Sequence, residues 1–245
     1  MSSHRIGIVL QARVGSKRLP GKVLMPLAGK PMIQWIIERL KNCKKSNLLI
    51  LATTSLKQDD PLVALSKKLG VTMFRGSSED VLDRYYQCAK ASRLDDIIRA
   101  TGDNPFVDPE ECDRLVDFYF DRGLDYACLS TNQKDGYPVG IGTEIFCFPV
   151  LEKSWQEGHA PHHREHVSEY ILENRSLFKQ KKMPALPEKC APELSLTVDT
   201  EDQFQIAQSI YKTYLCEHPL EQIPVSSAIQ MLQAQKNESR GVKFS

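Results

Sequence analysis

The chain has 245 residues, 41% of them hydrophobic, and its 32 basic and 31 acidic residues leave a net charge of +1. This length suits one α/β domain with a sizeable core, and the balanced charge excludes binding of nucleic acid or membranes through the overall field of the protein. The seven cysteines form no Cys-x-x-Cys pair, and no stretch is apolar enough for a signal peptide or a membrane span. We therefore expect a cytoplasmic protein with free thiols and with neither nucleic-acid nor membrane partners.

Short apolar runs alternate with amphipathic segments over the first half of the chain. Buried strands are predicted at Ile6–Leu10, Leu48–Thr53, Val71–Phe74 and Asp96–Ala100. Helices are predicted to begin at Pro31, at Asp60, after a capping box of Ser77 and Asp80, and after the N-cap Asp108. This alternation predicts a mostly parallel sheet with helices on both faces, and ligands of such sheets bind at the carboxyl ends of the strands.

Glycines and prolines between residues 136 and 142 mark a change of pattern in the second half. The elements predicted there are a strand at Thr143–Phe148, helices at Pro149–Glu157 and Pro161–Asn174, a strand at Leu194–Val198, and a helix from a capping box of Thr200 and Gln203 towards Tyr214. We interpret residues 136–193 as an insertion in a single domain of residues 1–236, which a polar tail of residues 237–245 follows.

The segment Gln11–Lys22, called here the first loop, follows the first predicted strand directly. Its glycines allow a backbone to approach a phosphate closely, and four cations can neutralise a triphosphate: Arg13, Lys17, Arg18 and Lys22. Five residues separate Gly15 from Gly21, so this is not a Walker A loop, and no Gly-x-Gly-x-x-Gly fingerprint is present. A solvated basic turn is the alternative, but the position after the first strand of a parallel sheet favours phosphate binding.

The first loop reads Gln-Ala-Arg-Val-Gly-Ser-Lys-Arg-Leu-Pro-Gly-Lys and is followed by Leu-Ala-Gly-Lys-Pro-Met-Ile. These segments closely resemble the opening of bacterial sugar-acid cytidylyltransferases, which make CMP-Kdo and CMP-neuraminic acid, and above all the branch named after spore coat polysaccharide biosynthesis. The resemblance, which extends to about Ser209, implies a Rossmann-like three-layer nucleotidyltransferase fold, CTP as co-substrate, Mg²⁺, a homodimer, and an inserted segment for acceptor binding and dimerisation. The CTP-binding residues that it implies in the first loop are Gln11, Ala12, Arg13, Gly15, Ser16, Lys17 and Lys22.

Two aspartates follow predicted strands and are candidate metal ligands. Asp103 lies in Thr-Gly-Asp-Asn-Pro, and Asp199 lies in Thr-Val-Asp-Thr. Mg²⁺ typically takes one or two carboxylates together with substrate phosphates and water, although either aspartate alone would equally suit a helix cap or a turn. Both motifs resemble those of the family, in which the corresponding aspartates bind Mg²⁺. We therefore expect these two residues, with Arg13 and Lys22, to be catalytic; Asp202 is a weaker third candidate.

Two further segments are assigned to the nucleotide and to the acceptor. Residues 74–84 resemble the family segment that lies against the cytosine and ribose, and the candidate contacts are Arg75, Gly76, Ser77 and Arg84. Residues 137–144 resemble the acceptor region, where a 2-keto sugar acid needs a cation for its carboxylate and partners for its hydroxyls; the candidates are Tyr137, Glu144 and Arg164. The alternative is that these are ordinary capping, turn and surface residues.

The run His162-His163-Arg164-Glu165-His166 matches the His-x-x-Glu-His motif of one class of zinc peptidase. If the run is helical, His162 and His166 lie one turn apart and could share a metal. A peptidase would leave the first loop and both aspartates unexplained, and the run resembles the Arg-Glu-His-Val stretch of the family. Packing at a dimer interface or lining the acceptor site is therefore the favoured role.

Combined with these residues, the family resemblance implies attack by the anomeric hydroxyl of a sugar acid, such as Kdo or a nonulosonic acid, on the α-phosphorus of CTP, for cell-surface polysaccharide biosynthesis. A phosphorylated or phosphonate alcohol is an alternative acceptor, because residues 14–17 match neither the Kdo nor the neuraminate pattern. A protein that only binds a sugar nucleotide would not need the complete set of loop cations and aspartates. A glycosyltransferase would be expected to carry an Asp-x-Asp metal motif, which this sequence lacks.

Overall fold

A seven-stranded sheet forms the centre of the protein, whose computed structural model describes residues 4–219 and 221–239. In chain order the strands are β1 (Ile6–Gln11), β2 (Pro26–Leu27), β3 (Lys30–Pro31), β4 (Leu48–Thr54), β5 (Thr72–Gly76), β6 (Asp96–Thr101), β7 (Tyr126–Leu129), β8 (Glu144–Cys147) and β9 (Gln180–Met183). β2 and β3 form a separate hairpin, and the others lie in the order β5-β4-β1-β6-β8-β7-β9. Within this sheet β8 is antiparallel to both neighbours and the remaining pairs are parallel, which confirms the predicted mostly parallel α/β sheet.

Helices cover both faces of the sheet. In chain order they are α1 (Met32–Leu40), α2 (Asp60–Lys68), α3 (Val81–Ser92), α4 (Pro109–Asp121), α5 (Phe148–Glu157), α6 (Pro161–Glu165), α7 (Glu169–Glu173), α8 (Glu201–Glu217) and α9 (Val225–Ser239). Ile8 and Leu10 of β1 belong to the core that includes α1, α4, α8 and α9, whereas Val9 belongs to the core on the opposite face with α3, α5 and α7. None of the helices in residues 4–219 and 221–239 is both long and apolar enough to cross a membrane.

Two predicted helical features differ in the structure. Asp80, not Ser77, caps α3, because its carboxylate accepts a 2.7 Å hydrogen bond from the Asp83 N–H; the Ser77 hydroxyl accepts from the N–H of Asp80 before the helix begins. The helix predicted for Pro161–Asn174 is divided into α6 and α7, because His166 has an extended backbone (φ −118°, ψ 99°). By contrast, the predicted capping box of Thr200 and Gln203 is present at the start of α8.

The predicted strand Leu194–Val198 packs its apolar side chains into the core but is not a strand of the sheet. Its backbone forms an isolated bridge to Val139, with hydrogen bonds from the Val139 N–H to Leu194 and from the Leu196 N–H to Val139 at 3.0 and 2.7 Å. The alternating side chains of Leu194, Leu196 and Val198 are all buried in the core. The apolar alternation therefore indicates burial, which the prediction misread as sheet pairing.

Strands β7 and β9 and helix α9 are absent from the sequence-based prediction. The short strand β9 reads Gln-Lys-Lys-Met and lies at an edge of the sheet, so its composition gives no strand signal. Both β8 and β9 come from residues 136–193, so the segment interpreted as an insertion contributes strands to the same sheet. Residues 237–239 of the predicted polar tail belong to α9, and residues 240–245 lie outside the described residues.

Candidate active site

The carboxyl ends of β1 and β6 lie side by side, with Gln11 opposite Thr101 in register. Gly102 follows directly, and its N–H donates a 2.8 Å hydrogen bond to the carbonyl oxygen of Gln11. A Cβ atom at Gly102 would lie 3.0 Å from the Cβ of Ala12 and 3.1 Å from that carbonyl, so glycine permits the close approach. Asp103 is thereby held beside the first loop.

Buried Asp59 fixes the course of the first loop. Its carboxylate accepts a 2.7 Å hydrogen bond from the Val14 N–H and another from the Thr54 hydroxyl. Gly21 has a left-handed backbone (φ 74°) and donates a 3.0 Å hydrogen bond to the Val14 carbonyl. This closes the loop immediately before the 3₁₀ turn Lys22–Leu24, so that the position of Lys22 is defined by the backbone.

The buried ammonium group of Lys22 joins the two candidate metal-binding aspartates. Its Nζ lies 2.8 Å from Oδ1 of Asp199, 3.9 Å from Oδ2 of Asp103, and 2.6 Å from the carbonyl oxygen of Val198. The backbone links the same two segments, because the Val198 N–H donates a 2.8 Å hydrogen bond to the Asp103 carbonyl. Arg18 adds an exposed ion pair to Asp199 at 2.8 Å. Three sequence-distant segments predicted to form one site are therefore in contact.

A cleft of about 470 Å³ opens above this arrangement. Its walls include nine of the residues proposed from the sequence: Gln11, Ala12, Arg13, Ser16, Lys17, Lys22, Arg84, Asp103 and Asp199. Six cationic side chains line the cleft against three carboxylates, so its charge favours an anionic ligand. Glu165, the last residue of α6, and His166, which follows it, also line the cleft.

Three buried polar atoms on the cleft-lining residues have no hydrogen-bond partner among the described residues. They are Oε1 of Gln11, Nε of Arg84 and Nε of Arg99. Burial also lowers the pKa of the Arg84 guanidinium, because desolvation disfavours its charged form. Each unsatisfied buried group costs about 1–3 kcal/mol. Such atoms around a cationic cleft are typical of a site that a polar ligand completes.

Arg99 was not among the sequence-based candidates, although it carries a charge in the middle of the apolar strand β6. Its guanidinium forms a 3.2 Å ion pair with Glu144, which also accepts a 2.8 Å hydrogen bond from Ser168. A charged residue within a buried strand is the signal that sequence reasoning overlooked, because such residues are rarely buried without a partner.

A second cavity of about 270 Å³ adjoins the cleft, and Arg99 and Thr101 line both. Glu144 lies in its wall, as does Lys182 of β9, so one carboxylate and two cations face the space. Asn104 and Thr131 add polar side chains. The structure therefore places the acceptor candidate Glu144 in a cavity next to the 470 Å³ cleft, on the side of β6 away from β1 and the first loop.

Four residues that the sequence analysis assigned to the nucleotide do not line the 470 Å³ cleft. Arg75 is turned away and donates to the carbonyls of Thr54 and Leu56, with an ion pair to Asp60. The Ser77 carbonyl accepts a hydrogen bond from Arg84, so Ser77 positions an arginine of the cleft. The other two are Gly15 and Gly76, which lie against the side chains of Gln58 and Arg84.

Two predicted acceptor contacts are structural instead. The ring of Tyr137 is fully buried, and its hydroxyl contacts the Glu111 carboxylate at 2.5 Å. Arg164 forms an ion pair with Asp80, the N-cap of α3, and donates to the carbonyl of Trp155 at 2.9 Å. Neither residue lines the cleft or the second cavity, and the side chains of both are already engaged by other residues of the protein.

The donor chemistry at the floor of the cleft fits a magnesium ion. Asp103 and Asp199 supply hard carboxylate oxygens, and their side chains are 34% and 18% exposed, so both remain open to the cleft. Mg²⁺ is usually bound by one or two carboxylates together with substrate phosphates, which the neighbouring cations of the first loop would hold. Lys22 already contacts both carboxylates and would share them with the ion.

The arrangement of the histidines does not support the zinc-peptidase alternative. α6 ends at Glu165, and Glu165 and His166 line the 470 Å³ cleft. His162 and His163 instead contact the carboxylate of Glu173. In the described part of the chain, the group of metal-ligating side chains found here is His162, His163 and Glu173, and it does not include His166.

Comparisons with known proteins agree with the resemblance of the first loop to cytidylyltransferases. A family model described as cytidylyltransferase matches residues 6–236. The chain is 35% identical to the spore coat polysaccharide biosynthesis protein SpsF of Bacillus subtilis over 209 residues, which cover 83% of this chain and 85% of that protein. A cytidylyltransferase structure from Leptospira borgpetersenii is similar with a TM-score of 0.83 and 29% identity, covering 99% of this chain and 98% of that one. A CMP:2-keto-3-deoxy-manno-octonic acid synthetase complexed with CTP shares the fold, with a TM-score of 0.65, 23% identity and coverage of 86% and 100%.

Proposed function

Because the chain belongs to the cytidylyltransferase family, we propose that it transfers CMP from CTP to a sugar acid of the 2-keto-3-deoxy type and releases pyrophosphate. The observation that carries this proposal is the contact of Lys22 with both Asp103 and Asp199 at the floor of a cationic cleft. A role in polysaccharide biosynthesis and a homodimer belong to the same proposal. They are supported by the likeness to SpsF and by the resemblance of the first loop to the family.

The first loop and its neighbours would bind the triphosphate. Arg13, Lys17 and Arg18 line the cleft and can donate charge-assisted hydrogen bonds to phosphate oxygens. Lys22 lies deeper, where exclusion of water strengthens its interaction with charge that develops during transfer. The unpartnered Nε of Arg84 and Oε1 of Gln11 offer a further donor and acceptor to the nucleotide.

Asp103 and Asp199 would hold Mg²⁺ at the cleft floor. When bound, the ion neutralises phosphate charge and lowers the pKa of a hydroxyl that contacts it. The protein's own part is to hold the carboxylates in place, through the Val198–Asp103 hydrogen bond and the backbone contact between Gly102 and Gln11. Lys22 stabilises the negative charge on the phosphate as pyrophosphate leaves.

The second cavity is the site that we propose for the acceptor. Lys182 and Arg99 supply cations for a carboxylate, and Glu144 with Asn104 supplies partners for hydroxyls. Because Arg99 and Thr101 line both spaces, an acceptor there lies next to the nucleotide, as in-line transfer requires. Arg99 and Lys182 thus take the role that the sequence assigned to Arg164.

The test is product formation by purified protein with CTP, Mg²⁺ and a panel of acceptors, measured by pyrophosphate release and by mass spectrometry of the nucleotide product. We expect a CMP-sugar acid with CTP, and far less product with ATP, GTP or UTP. The panel includes Kdo, a nonulosonic acid, a phosphorylated alcohol and a phosphonate alcohol. Product from the last two alone would show a different acceptor class, and no product with any acceptor would refute the proposed activity.

Replacing Lys182 with glutamine tests the acceptor site. We expect the KM for the acid acceptor to rise by about tenfold, the effect of one charge-assisted hydrogen bond, while the KM for CTP is unchanged. Lys181→Gln is the matched control, because Lys181 is the preceding residue of the same exposed strand and does not line the cavity. Equal KM values for the acceptor in both variants would show that the acceptor does not bind beside Lys182.

A further inference from the structure

Two adjacent histidines of α6 share one carboxylate of α7. Nε2 of His162 lies 2.7 Å from Oε1 of Glu173, and Nε2 of His163 lies 2.8 Å from Oε2 of the same group. The three ligand atoms lie within 4.8 Å of one another. We propose that His162, His163 and Glu173 form a binding site for a divalent transition-metal ion of the zinc type, separate from the aspartates of the nucleotide cleft.

The donor set suits zinc. Imidazole nitrogen and carboxylate oxygen bind Zn²⁺ at about 2.0–2.2 Å, which places neighbouring ligand atoms of a tetrahedral site about 3.3 Å apart. The hydrogen-bonded distances of 2.7 and 2.8 Å would lengthen by about 0.5 Å, and the ligand atoms, which now lie within 4.8 Å of one another, would adopt the same spacing through side-chain rotations.

The surroundings leave this cluster open on one side. The side chains of His162 and Glu173 are about half exposed, so a metal ion can enter and water can complete its coordination. His163 is nearly buried, and its ring packs edge-on against Tyr170 with centroids 5.5 Å apart. Its Nδ1 is buried and has no partner in the described residues, so Nε2 is the nitrogen available to the ion.

The bound ion would link the two ends of the segment 162–173. Between these ends lie Glu165 and His166, which line the nucleotide cleft, and Ser168, whose hydroxyl donates to Glu144 of the second cavity. A metal that bridges α6 and α7 therefore stabilises a segment with contacts to both cavities. Its role is structural, since no ligand atom of the cluster belongs to a residue that lines the cleft.

The experiment measures metal binding directly. Metal-free protein is titrated with Co²⁺, followed by visible absorption, and with Zn²⁺, followed by calorimetry; thermal unfolding is recorded with and without Zn²⁺. We expect one equivalent of Zn²⁺, a tetrahedral Co²⁺ spectrum, and a rise in Tm with Zn²⁺. His163→Gln and Glu173→Gln should each weaken Zn²⁺ binding by at least about 100-fold and abolish the rise in Tm.

His218→Gln is the matched control, because His218 faces Glu221 at 3.7 Å in a separate exposed histidine–glutamate pair. It should leave Zn²⁺ affinity unchanged. His162→Gln, at an exposed position, gives the same test if His163→Gln does not fold. The proposal is overturned if wild-type protein binds no Zn²⁺, or if Zn²⁺ binds equally well to folded variants of His162 or Glu173.

Discussion

Replacing Asp199 with asparagine will lower turnover by about 10²–10³-fold and leave the protein folded. Asparagine keeps the shape of the side chain, and Lys22 retains its 2.6 Å hydrogen bond to the Val198 carbonyl, so the floor of the cleft is preserved. The charge that would hold Mg²⁺ on the phosphates is lost, because an amide oxygen is a much weaker ligand for a hard cation than a carboxylate. Asp103→Asn should reduce turnover to a similar extent.

The measurement is kcat at saturating CTP and acceptor, with circular dichroism and Tm as checks on folding. Asp202→Asn is the matched control, because Asp202 is also an aspartate near the start of α8 but is exposed and does not line the cleft. It should keep wild-type turnover. Undiminished kcat in both Asp103→Asn and Asp199→Asn would remove the proposed metal site.

Replacing Lys22 with methionine will affect both turnover and stability. The methionine fills much of the same space but carries no charge. Asp103 and Asp199 therefore lose the cation that joins them, and the Val198 carbonyl loses its hydrogen-bond donor. We expect turnover to fall by about 10²–10³-fold, as for loss of a group that stabilises transition-state charge. The free energy of unfolding should fall by about 1–3 kcal/mol, because the buried hydrogen bond to the Val198 carbonyl is lost and the two partly exposed carboxylates lose their shared cation.

Lys17→Met distinguishes the effect of losing Lys22 at its buried position from the effect of losing any one positive charge of the first loop. Lys17 lines the same cleft but is exposed, and among residues 4–219 and 221–239 it has no ion-pair partner. Its replacement should raise the KM for CTP modestly and leave kcat and the free energy of unfolding unchanged. If Lys22→Met and Lys17→Met lower kcat and the free energy of unfolding by the same amounts, the role proposed for Lys22 is contradicted.

The first loop and the two aspartates beside it were predictable because the sequence signals for them are local. A buried strand followed by glycines and four cations lies within residues 6–22, and the loop geometry depends on backbone conformations that glycine favours. Asp103 was found because it directly follows a strand. Asp199 was also found, although the segment before it is not a strand of the sheet. The buried side chains of Leu194, Leu196 and Val198 hold this segment in the core, so that Asp199 lies beside Asp103.

The acceptor residues were less predictable because their partners are distant in sequence. Tyr137 bonds Glu111, 26 residues away, and Arg164 bonds Asp80, 84 residues away, so nothing near either residue indicates that it is already engaged. Arg99 gains its role only from the strand order, which places β8 and Glu144 beside β6. Sequence periodicity predicts which residues are buried, but it does not specify the order of strands in the sheet.

The hydrogen bond between Lys22 and Val198 joins groups 176 residues apart in the chain. Closing a loop of that length has an entropic cost, so we expect this contact to form after the elements between the two residues have folded. A nascent or truncated chain that ends before residue 198 therefore contains the whole first loop and Asp103 but not the arrangement around Lys22. Catalytic competence and completion of the fold should accordingly appear in a single step during refolding.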